Sequence, residues 1–321
     1  MYPGGEFCAN LTALGAMSRE LAPPLSVEAL PEYLDNVPEP PVSLVACPLM
    51  HGTGMWLGAM VPMSAGGTVV LTAKLGLDPD LLWGLVEENK VTDMVIVGDA
   101  FARPLLSALD EAEKRGHAYD LSSLQRITSS GVMWSSEIKQ GLLRHQDMIL
   151  HDIMGSSEGG MGSSLTSREG AAKTAKFELN EGVAVFTDDG RRVEPGSGEI
   201  GKIATSGSVP IGYYKDPVKS AETFKEIDGV RYSFPGDYAQ VEADGSITLL
   251  GRGSVCINTA GEKVFPEEVE EAVKLHPAVF DCLVVGVPDE RFGERVVAVA
   301  SYQAGESCDE AAVIDFAREH L

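Results

Sequence analysis

The sequence predicts an α/β fold: a helix-covered, mostly parallel sheet with a small antiparallel β section, followed by a small α+β C-terminal domain. Three observations support this prediction. Between residues 43 and 144, apolar strand-like runs alternate with helical runs, which favours a parallel sheet covered by helices. From Gly182 the pattern changes to short alternating strands and turns, typical of antiparallel pairs. After residue 252, one helix, two strands and a further helix follow.

The strand-like runs of the first part are short and apolar. They are 43–47, 68–71, 93–97 and 126–129. The helical runs between them space apolar residues three or four positions apart, and they are 79–89, 101–115 and 135–144. Ligands of such sheets bind beyond the carboxyl ends of the strands, so a functional site is expected in the loops there.

The later elements are marked by turn residues. Strands are predicted at 183–186 and 246–250, with turns at 188–190 and 195–198. Gly251-Arg252-Gly253 is predicted to be a turn, since glycine adopts positive φ at no steric cost. Next come a short strand at 255–257 and a turn at 258–261. A helix is predicted at 267–275, because Pro266 and the following glutamates suit the first turn of a helix. Strands at 281–287 and 295–301 and a helix beginning near Asp309 complete the chain.

Composition excludes several classes of partner. With 48 acidic against 25 basic residues, the formal charge of the 321-residue chain is -23. Such a charge repels nucleic acid and anionic lipid headgroups. Residues 44–71 are mostly apolar, but Pro48, Pro62 and five glycines argue for a buried core rather than a membrane span.

The cysteines and the N-terminus indicate a cytoplasmic protein. The five cysteines are widely spaced, odd in number and form no C-x-x-C pair, which argues against a disulfide framework and a zinc site. The first residues, MYPGGEFCANL, lack the basic region and apolar core of a signal peptide.

Residues 128–133, TSSGVM, follow a predicted strand and precede a predicted helix. Small residues there let a ligand approach the backbone closely. An ordinary turn between a strand and a helix is the alternative.

Residues 151–159, HDIMGSSEG, place a hydroxyl next to a carboxylate in a glycine-rich turn. Ser157 would donate to a phosphate and Glu158 would bind Mg²⁺, which prefers one or two carboxylates together with phosphate oxygens. A helix N-cap at Ser157, with Glu158 in the first turn, is the alternative. The pattern alone leaves both interpretations open.

Taken in order, these stretches resemble the motifs of the adenylate-forming enzymes, the acyl-CoA synthetases and their relatives. The resemblance covers nearly the whole chain. GRGSVCINTAGEKVFPEEVE at 251–270 is similar to the hinge motif of that family, and HDIMGSSEG is similar to its Y-G-x-T-E motif. GYYKDP with AETF at 212–224, and YSFPGD at 232–237, resemble two further motifs. There are two departures: Met154 replaces a usual aromatic residue, and Asn258 stands where Lys is frequent.

The resemblance implies a role for each matching residue. AMP or ATP would be bound by Gly131, Val132, Met133, Asp152, Met154, Gly155, Asp237 and Arg252. Asp237 and Arg252 would hold the ribose from two sides, since a carboxylate accepts bonds from ribose hydroxyls. Ser157 and Glu158 would be catalytic, with Glu158 as the metal ligand. Ser254 would be the hinge, and Gly261 would enter the active site for thioester formation.

The resemblance also implies an acyl pocket. PLMHG at 48–52 resembles a family segment beside the acyl site. His51, Trp56 and Met161 would line the pocket, with Met55, Met133 and Trp134 as further candidates. These side chains suit a fatty or other bulky hydrophobic acid. The alternative for each of them, including the lone histidine, is a place in the core.

The implied reaction has two steps. A small-molecule carboxylic acid attacks the α-phosphate of ATP in the presence of Mg²⁺, giving acyl-AMP and pyrophosphate. A mobile lid then turns about Ser254, and the thiol of CoA displaces AMP. The implied cofactors are therefore ATP/AMP, Mg²⁺ and CoA.

Two family elements are not found in the sequence: a phosphate loop ending in P-K-G, and a closing P-x-x-x-x-G-K motif whose lysine drives adenylation. We therefore expect a partial AMP-binding domain at 1–252 and a partial lid domain at 253–321, inactive by themselves. Two alternatives stay open. One is an acyl-AMP ligase that transfers the acyl group to a carrier protein, and the other is a non-catalytic binding protein.

Overall fold

A computed structural model describes residues 1–17, 21–24, 26, 28–170, 173–260 and 262–321. The chain packs into two compact units, Met1–Val183 with Thr205–Ser233, and Ala184–Ala204 with Phe234–Leu321. Each unit is described by itself. The predicted domain boundary between residues 252 and 253 stays a prediction.

The first unit is built on a mostly parallel sheet, which confirms the predicted fold class. Its spatial order is β2-β1-β3-β4-β5-β6-β7. The pairs from β2 to β5 are parallel, and β5-β6-β7 are antiparallel. The strands are β1 Val42–Val45, β2 Thr68–Val70, β3 Asp93–Ile96, β4 Arg126–Ser130, β5 Ile149–Ser156, β6 Gly159–Thr166 and β7 Lys176–Leu179.

Helices cover both faces of the parallel strands. They are α1 Gly4–Met17, α2 Leu30–Asp35, a π-helix Thr53–Met60, α3 Val61–Ser64, α4 Pro79–Asn89, α5 Gly98–Lys114 and α6 Ser136–His145. Apolar residues of α4, α5 and α6 pack with Leu44, Ile96, Ile127 and Leu150 into the main core on one face. The π-helix packs on the other face, where Ala59 joins a smaller cluster.

Local signals account for the bounds of α4, which agree with the prediction. Asp78 caps the helix by accepting a hydrogen bond from the Leu81 N–H at 3.2 Å, and Pro79 occupies the first turn. The helix ends at Asn89, and the C-cap residue Lys90 has a left-handed φ of 51°. Its buried face carries Trp83, whose indole N–H donates to the Leu105 carbonyl at 2.9 Å.

The chain then alternates between the units. Most of β8 Val183–Phe186 and most of β9 Ile200–Ser206 belong to the second unit. The chain returns to the first unit with α7 Pro217–Thr223, β10 Phe224–Ile227 and β11 Val230–Ser233, where β10 and β11 form an antiparallel hairpin.

The second unit contains two antiparallel sets of strands. In one, β9 pairs with β12, which pairs with β13, and β8 also pairs with β9. The other is a four-stranded sheet in the order β15-β14-β17-β16, beside α8 and α9. These elements are β12 Asp237–Val241, β13 Ile247–Arg252, β14 Ile257–Thr259, β15 Glu262–Val264, α8 Pro266–Lys274, β16 Val279–Asp289, β17 Gly293–Tyr302 and α9 Glu310–His320.

The predicted turns around residue 252 are partly wrong. Gly251 and Arg252 continue β13, and the turn begins only at Gly253. The predicted strand at 255–257 is displaced, because β14 runs from Ile257 through Asn258 and Thr259, two residues of the predicted turn. Cross-strand pairing with β15 and β17 overrides the local turn preference of this segment.

The mostly apolar stretch 44–71 forms parts of β1 and β2, the π-helix and α3. Some of its side chains, such as Leu44, are buried, whereas Met50 and Met63 are exposed. Within the described residues, every helix is too short or too polar to cross a membrane.

A buried ion pair joins α6 to β5. The Lys139 ammonium lies 2.9 Å from the Asp152 carboxylate, and the two side chains are 1% and 6% exposed. Lys139 also donates to the Lys173 carbonyl at 3.1 Å and lies 5.3 Å from the centre of the Trp134 ring. Burial holds the pKa of Asp152 above its ordinary value, although the neighbouring ammonium acts in the opposite direction.

We expect Lys139→Met to destabilise the first unit by about 3–5 kcal/mol, because it leaves a buried carboxylate without its cation. Adding Asp152→Leu should recover most of this loss, since a well-packed apolar pair replaces an ion pair at little cost. Urea unfolding of the two variants measures both effects. If the double variant is as unstable as Lys139→Met, the packing of the two side chains, and not their opposite charges, stabilises the first unit.

Candidate functional site

The loop after β4 presents backbone at the carboxyl end of a parallel strand. Gly131 and Val132 are exposed there, and Gly131 has a φ of 99°. The start of α5 holds this loop: the Asp99 N–H donates to the Met133 carbonyl at 3.0 Å. The Asp99 carboxylate accepts from the Ser135 N–H at 2.9 Å. The structure therefore brings Gly131, Val132 and Met133 together in one braced loop.

Close packing at Gly98 explains how α5 approaches this loop. A Cβ atom on Gly98 would lie 2.4 Å from the Met133 carbonyl oxygen, and its φ of 50° is left-handed. The Gly98 N–H also donates to Ser129 Oγ at 2.8 Å. Only glycine fits this position without displacing the loop.

Ser157 and Glu158 form the turn of the tight hairpin between β5 and β6. The predicted alternative, a helix N-cap at Ser157, is wrong, because the chain reverses into β6 at once. Gly159 allows the reversal: its φ is 154°, and an added Cβ would lie 2.6 Å from the Thr205 side chain. Gly155 lies just before the turn, opposite Gly160 in the ladder.

Three hydroxyl groups surround the half-buried carboxyl group of Glu158. The Tyr213 hydroxyl donates to Oε1 at 2.5 Å, and the Ser157 hydroxyl donates to Oε2 at 3.1 Å. Ser156 Oγ accepts from the Glu158 N–H at 3.1 Å. Burial alone would raise the pKa of Glu158, but hydrogen bonds led by the one from Tyr213 outweigh it and lower that pKa. The group is therefore a carboxylate at neutral pH.

The negative charge of Glu158 also affects the pKa of a second tyrosine, Tyr2. Burial and, to a smaller extent, the Glu158 carboxylate raise the pKa of Tyr2 to about 12. Tyr2 is therefore neutral at physiological pH, and its hydroxyl keeps its proton.

The chemistry of Glu158 fits the predicted Mg²⁺. A carboxylate offers about four acceptor positions, so the two hydroxyl donors leave positions for a cation. Mg²⁺ in nucleotide sites takes one or two protein carboxylates and completes its octahedron with phosphate oxygens and water. Glu158 would be the protein ligand, and Ser157 would remain beside it as a hydroxyl donor.

Asp152 and Met154 lie on the face of β5 that packs into the protein. Met154 is 5% exposed, and Asp152 is occupied by its ion pair with Lys139. The predicted contacts of these two residues with the nucleotide stay predictions.

In the second unit, Asp237 and Arg252 are directly opposite each other on β12 and β13. Arg252 Nε lies 3.5 Å from Asp237 Oδ1, and the two side chains are 58% and 13% exposed. The structure thus brings this predicted pair together on the antiparallel ladder of two consecutive strands. Ser254 is exposed in the turn that follows, and Gly261 lies outside the described residues.

The predicted acyl-pocket residues differ in exposure, and their place in one pocket stays a prediction. His51 is exposed in a turn, which also makes its alternative place in the core wrong. Trp56 packs edge-on against Phe7 at a ring distance of 5.3 Å, and Met161 is 1% exposed. Among the further candidates, Trp134 belongs to the main core. A cavity of about 230 Å³ in the first unit is lined by other residues.

Sequence reasoning assigned no role to Tyr213, although it lies in one of the quoted motifs. Its ring packs against Phe224 at 5.5 Å, and its N–H donates to Ser220 Oγ at 2.8 Å. These contacts direct its hydroxyl at Glu158. The only sequence signal was the motif GYYKDP itself, because the partner is 55 residues away.

Comparison with known proteins agrees with these motifs. The family model described as "AMP-binding enzyme" matches residues 24–214. The chain belongs to this family. The model described as "AMP-binding enzyme C-terminal domain" matches residues 268–321.

Several similar proteins are named as CoA ligases. The "3-oxocholest-4-en-26-oate--CoA ligase" of Rhodococcus rhodochrous is 47% identical over 263 residues, which is 81% of this chain and 47% of that protein. The "Medium/long-chain-fatty-acid--CoA/3-oxocholest-4-en-26-oate--CoA ligase" of Mycolicibacterium smegmatis is 47% identical over 264 residues, or 80% and 47% of the two chains. The chain therefore spans about half the length of these relatives.

Solved structures share the fold at lower identity. One is the amide bond synthetase McbA from Marinactinospora thermotolerans, with a TM-score of 0.78 and 22% identity. The match covers 100% of this chain and 60% of the McbA chain. The o-succinylbenzoate CoA synthetase MenE from Bacillus subtilis, in complex with OSB-AMP, matches 100% and 59%, with a TM-score of 0.71 and 20% identity.

We expect Tyr213→Phe to raise the pKa of Glu158, because it removes the main hydrogen bond that favours the carboxylate. NMR titration of the carboxyl carbon of Glu158 measures this change. Tyr214→Phe is the matched control, because the neighbouring tyrosine is 72% exposed. An unchanged pKa in Tyr213→Phe would show that the serine hydroxyls suffice to keep Glu158 charged.

We expect Gly251→Ala to destabilise the second unit by about 1–3 kcal/mol, because its φ of 126° is strained for any residue with a Cβ. The added Cβ would also lie 2.4 Å from Oε2 of Glu267. Gly84→Ala, in the middle of α4 with open space around it, should stabilise the protein by about 0.5–1 kcal/mol. Denaturant unfolding measures the free energy of unfolding of both variants. If both substitutions change it equally, strain at Gly251 is ruled out.

Proposed function

We propose that the chain carries the nucleotide site of an acid-thiol ligase, which activates a hydrophobic carboxylic acid with ATP and passes the acyl group to CoA. The observation that supports this most directly is the Glu158 carboxylate, held ionised by Tyr213 and Ser157 in a hairpin turn within the matched family region. We further propose Mg²⁺ as its cation, a cytoplasmic location and a place in fatty acid metabolism. The names of the relatives favour fatty acids or steroid-derived acids as substrates.

In the first step, the acid oxygen attacks the α-phosphorus of ATP, the bond to the β-phosphate oxygen breaks, and acyl-AMP and pyrophosphate form. Bound Mg²⁺ supplies neutralisation of the phosphate charge. Glu158 would hold the cation, and Ser157 would donate to a phosphate oxygen. The exposed loop 131–133 would lie along the adenine. Fixed donors and charges of this kind supply most of the rate enhancement in phosphate chemistry.

In the second step, the thiol sulfur of CoA attacks the acyl carbon, and the bond to AMP breaks. Asp237 and Arg252 would hold the ribose of the nucleotide in both steps, the carboxylate by accepting from its hydroxyls and the guanidinium by donating. Because Arg252 is followed directly by the exposed turn at Ser254, we propose that rotation in this turn separates the two steps.

We expect a non-hydrolysable acyl-sulfamoyl adenosine to bind the chain and Asp237→Ala to weaken binding at least tenfold, because a hydrogen bond to a charged group contributes about 1.5–3 kcal/mol. Isothermal titration calorimetry measures both affinities. Asp315→Ala is the control, since this aspartate on α9 is 73% exposed and pairs with Arg318. Equal binding by wild type and Asp237→Ala would contradict the proposed ribose contact, and no binding by folded wild type would contradict the proposed nucleotide site.

A further inference from the structure

Tyr213 lies in the connection between β9 and α7, residues 207–216. Two of these residues are glycines, which have more backbone freedom than any other residue. The position of the Tyr213 hydroxyl, which donates to Glu158, therefore depends on contacts that hold the connection from neighbouring elements. On the side of α7, the Ser220 hydroxyl supplies one such contact by accepting from the Tyr213 N–H.

Arg231 on β11 holds the connection just before Tyr213. Its guanidinium donates to two successive backbone carbonyls, from Nη1 to Pro210 at 2.7 Å and from Nη2 to Ile211 at 3.1 Å. The N–H groups of a guanidinium form a rigid planar fork, so one side chain can fix two carbonyl groups at once. These hydrogen bonds restrict the backbone that leads into Tyr213.

Arg231 also acts on the ring against which Tyr213 packs. The guanidinium carbon lies 4.7 Å from the centre of the Phe224 ring. The Tyr213 ring lies 5.5 Å from the same Phe224 ring. A cation over an aromatic face is attracted by the ring, so the arginine restricts Phe224 and, through it, the orientation of the Tyr213 ring.

Both sets of contacts made by Arg231 lead to Tyr213. An exposed arginine that only solvated the surface would not connect the backbone and the aromatic neighbour of one functional side chain. The hydrogen bond from Tyr213 to Glu158 is 2.5 Å long, and such bonds weaken steeply when their length or angle departs from the ideal. A small displacement of residues 210–213 therefore weakens the contact with the carboxylate.

We propose that Arg231 is a positioning residue of the candidate site: by holding Pro210, Ile211 and the Phe224 ring, it sets the geometry of the hydrogen bond from Tyr213 to Glu158. It thereby strengthens the binding of magnesium-bound ATP. The second part of this inference rests on the proposed function. Arg231 acts only through Tyr213, so its effect disappears when Tyr213 lacks its hydroxyl group.

The first measurement is the NMR chemical shift of the Tyr213 Cζ carbon, which carries the hydroxyl group, in the 321-residue chain with labelled tyrosine. Tyr213→Phe identifies the signal, and Glu158→Gln gives its position with a neutral acceptor in place of the carboxylate. We expect Arg231→Met to move the signal towards that position, because the hydrogen bond is weakened. Lys225→Met, at an exposed lysine of the same hairpin, is the matched control and should leave the signal unchanged.

The second measurement is the affinity for magnesium-bound ATP, by isothermal titration calorimetry. Arg231→Met should weaken it about threefold, since part of one hydrogen bond to a charged group is lost. In a Tyr213→Phe background, the same substitution should have no further effect, because the hydroxyl through which Arg231 acts is absent. Arg231→Lys keeps the positive charge but not the planar fork, and should weaken binding as Arg231→Met does.

A Tyr213 signal that keeps its wild-type position in Arg231→Met would overturn the inference. An equal loss of affinity with and without the Tyr213 hydroxyl would overturn it too, as would full affinity in Arg231→Lys. If Arg231→Met does not fold, Arg231→Lys serves in both measurements. If folded wild type does not bind magnesium-bound ATP, the proposed function fails together with the second part of the inference. The Tyr213 signal then still decides whether Arg231 positions the hydroxyl.

Discussion

The hydrogen bond from Tyr213 to Glu158 is the contact on which the candidate site depends. It joins two segments that are 55 residues apart, and it is the first of the hydrogen bonds that lower the pKa of Glu158, the carboxylate proposed to bind a cation. Neither segment defines this geometry by itself. The hairpin turn presents Glu158 because Gly159 permits the reversal. Tyr213 lies just before α7, where Ser220 accepts from its N–H and the Phe224 ring packs against its ring.

Alternation along β5 divides the motif HDIMGSSEG between two environments. His151 and Ile153 line the cavity, whereas Asp152 and Met154 are buried on the opposite face. A single strand therefore supplies part of a cavity wall, one partner of an ion pair with α6, and the start of the hairpin turn that carries Glu158. A change in register by one residue would exchange the two faces and place the charged Asp152 against the cavity.

The sequence predicted the elements whose signals are local. Helix α4 was predicted with its observed bounds from its apolar spacing, and in the structure Asp78 and Pro79 mark its start. The motifs also indicated that Asp237 and Arg252 belong together. Properties that depend on distant partners were not predictable: the extension of β14 into a turn-like segment needs pairing with β17, and the Lys139–Asp152 pair needs the packing of α6 on β5. The cavity was missed for the same reason, since its walls come from separate helices and strands.

The division of the chain between two units affects its biosynthesis. Lys202 on β9 pairs with Tyr238 on β12, which the ribosome adds 36 residues later. Because the ribosome adds about 5–20 residues per second, β12 is synthesised roughly 2–7 s after β9. Until then, the edge of β9 that pairs with β12 has no partner strand. During that interval the early strands of the second unit are exposed to other nascent chains. We therefore expect the rate of synthesis, and not only the final stability, to influence how much of this protein reaches its native state.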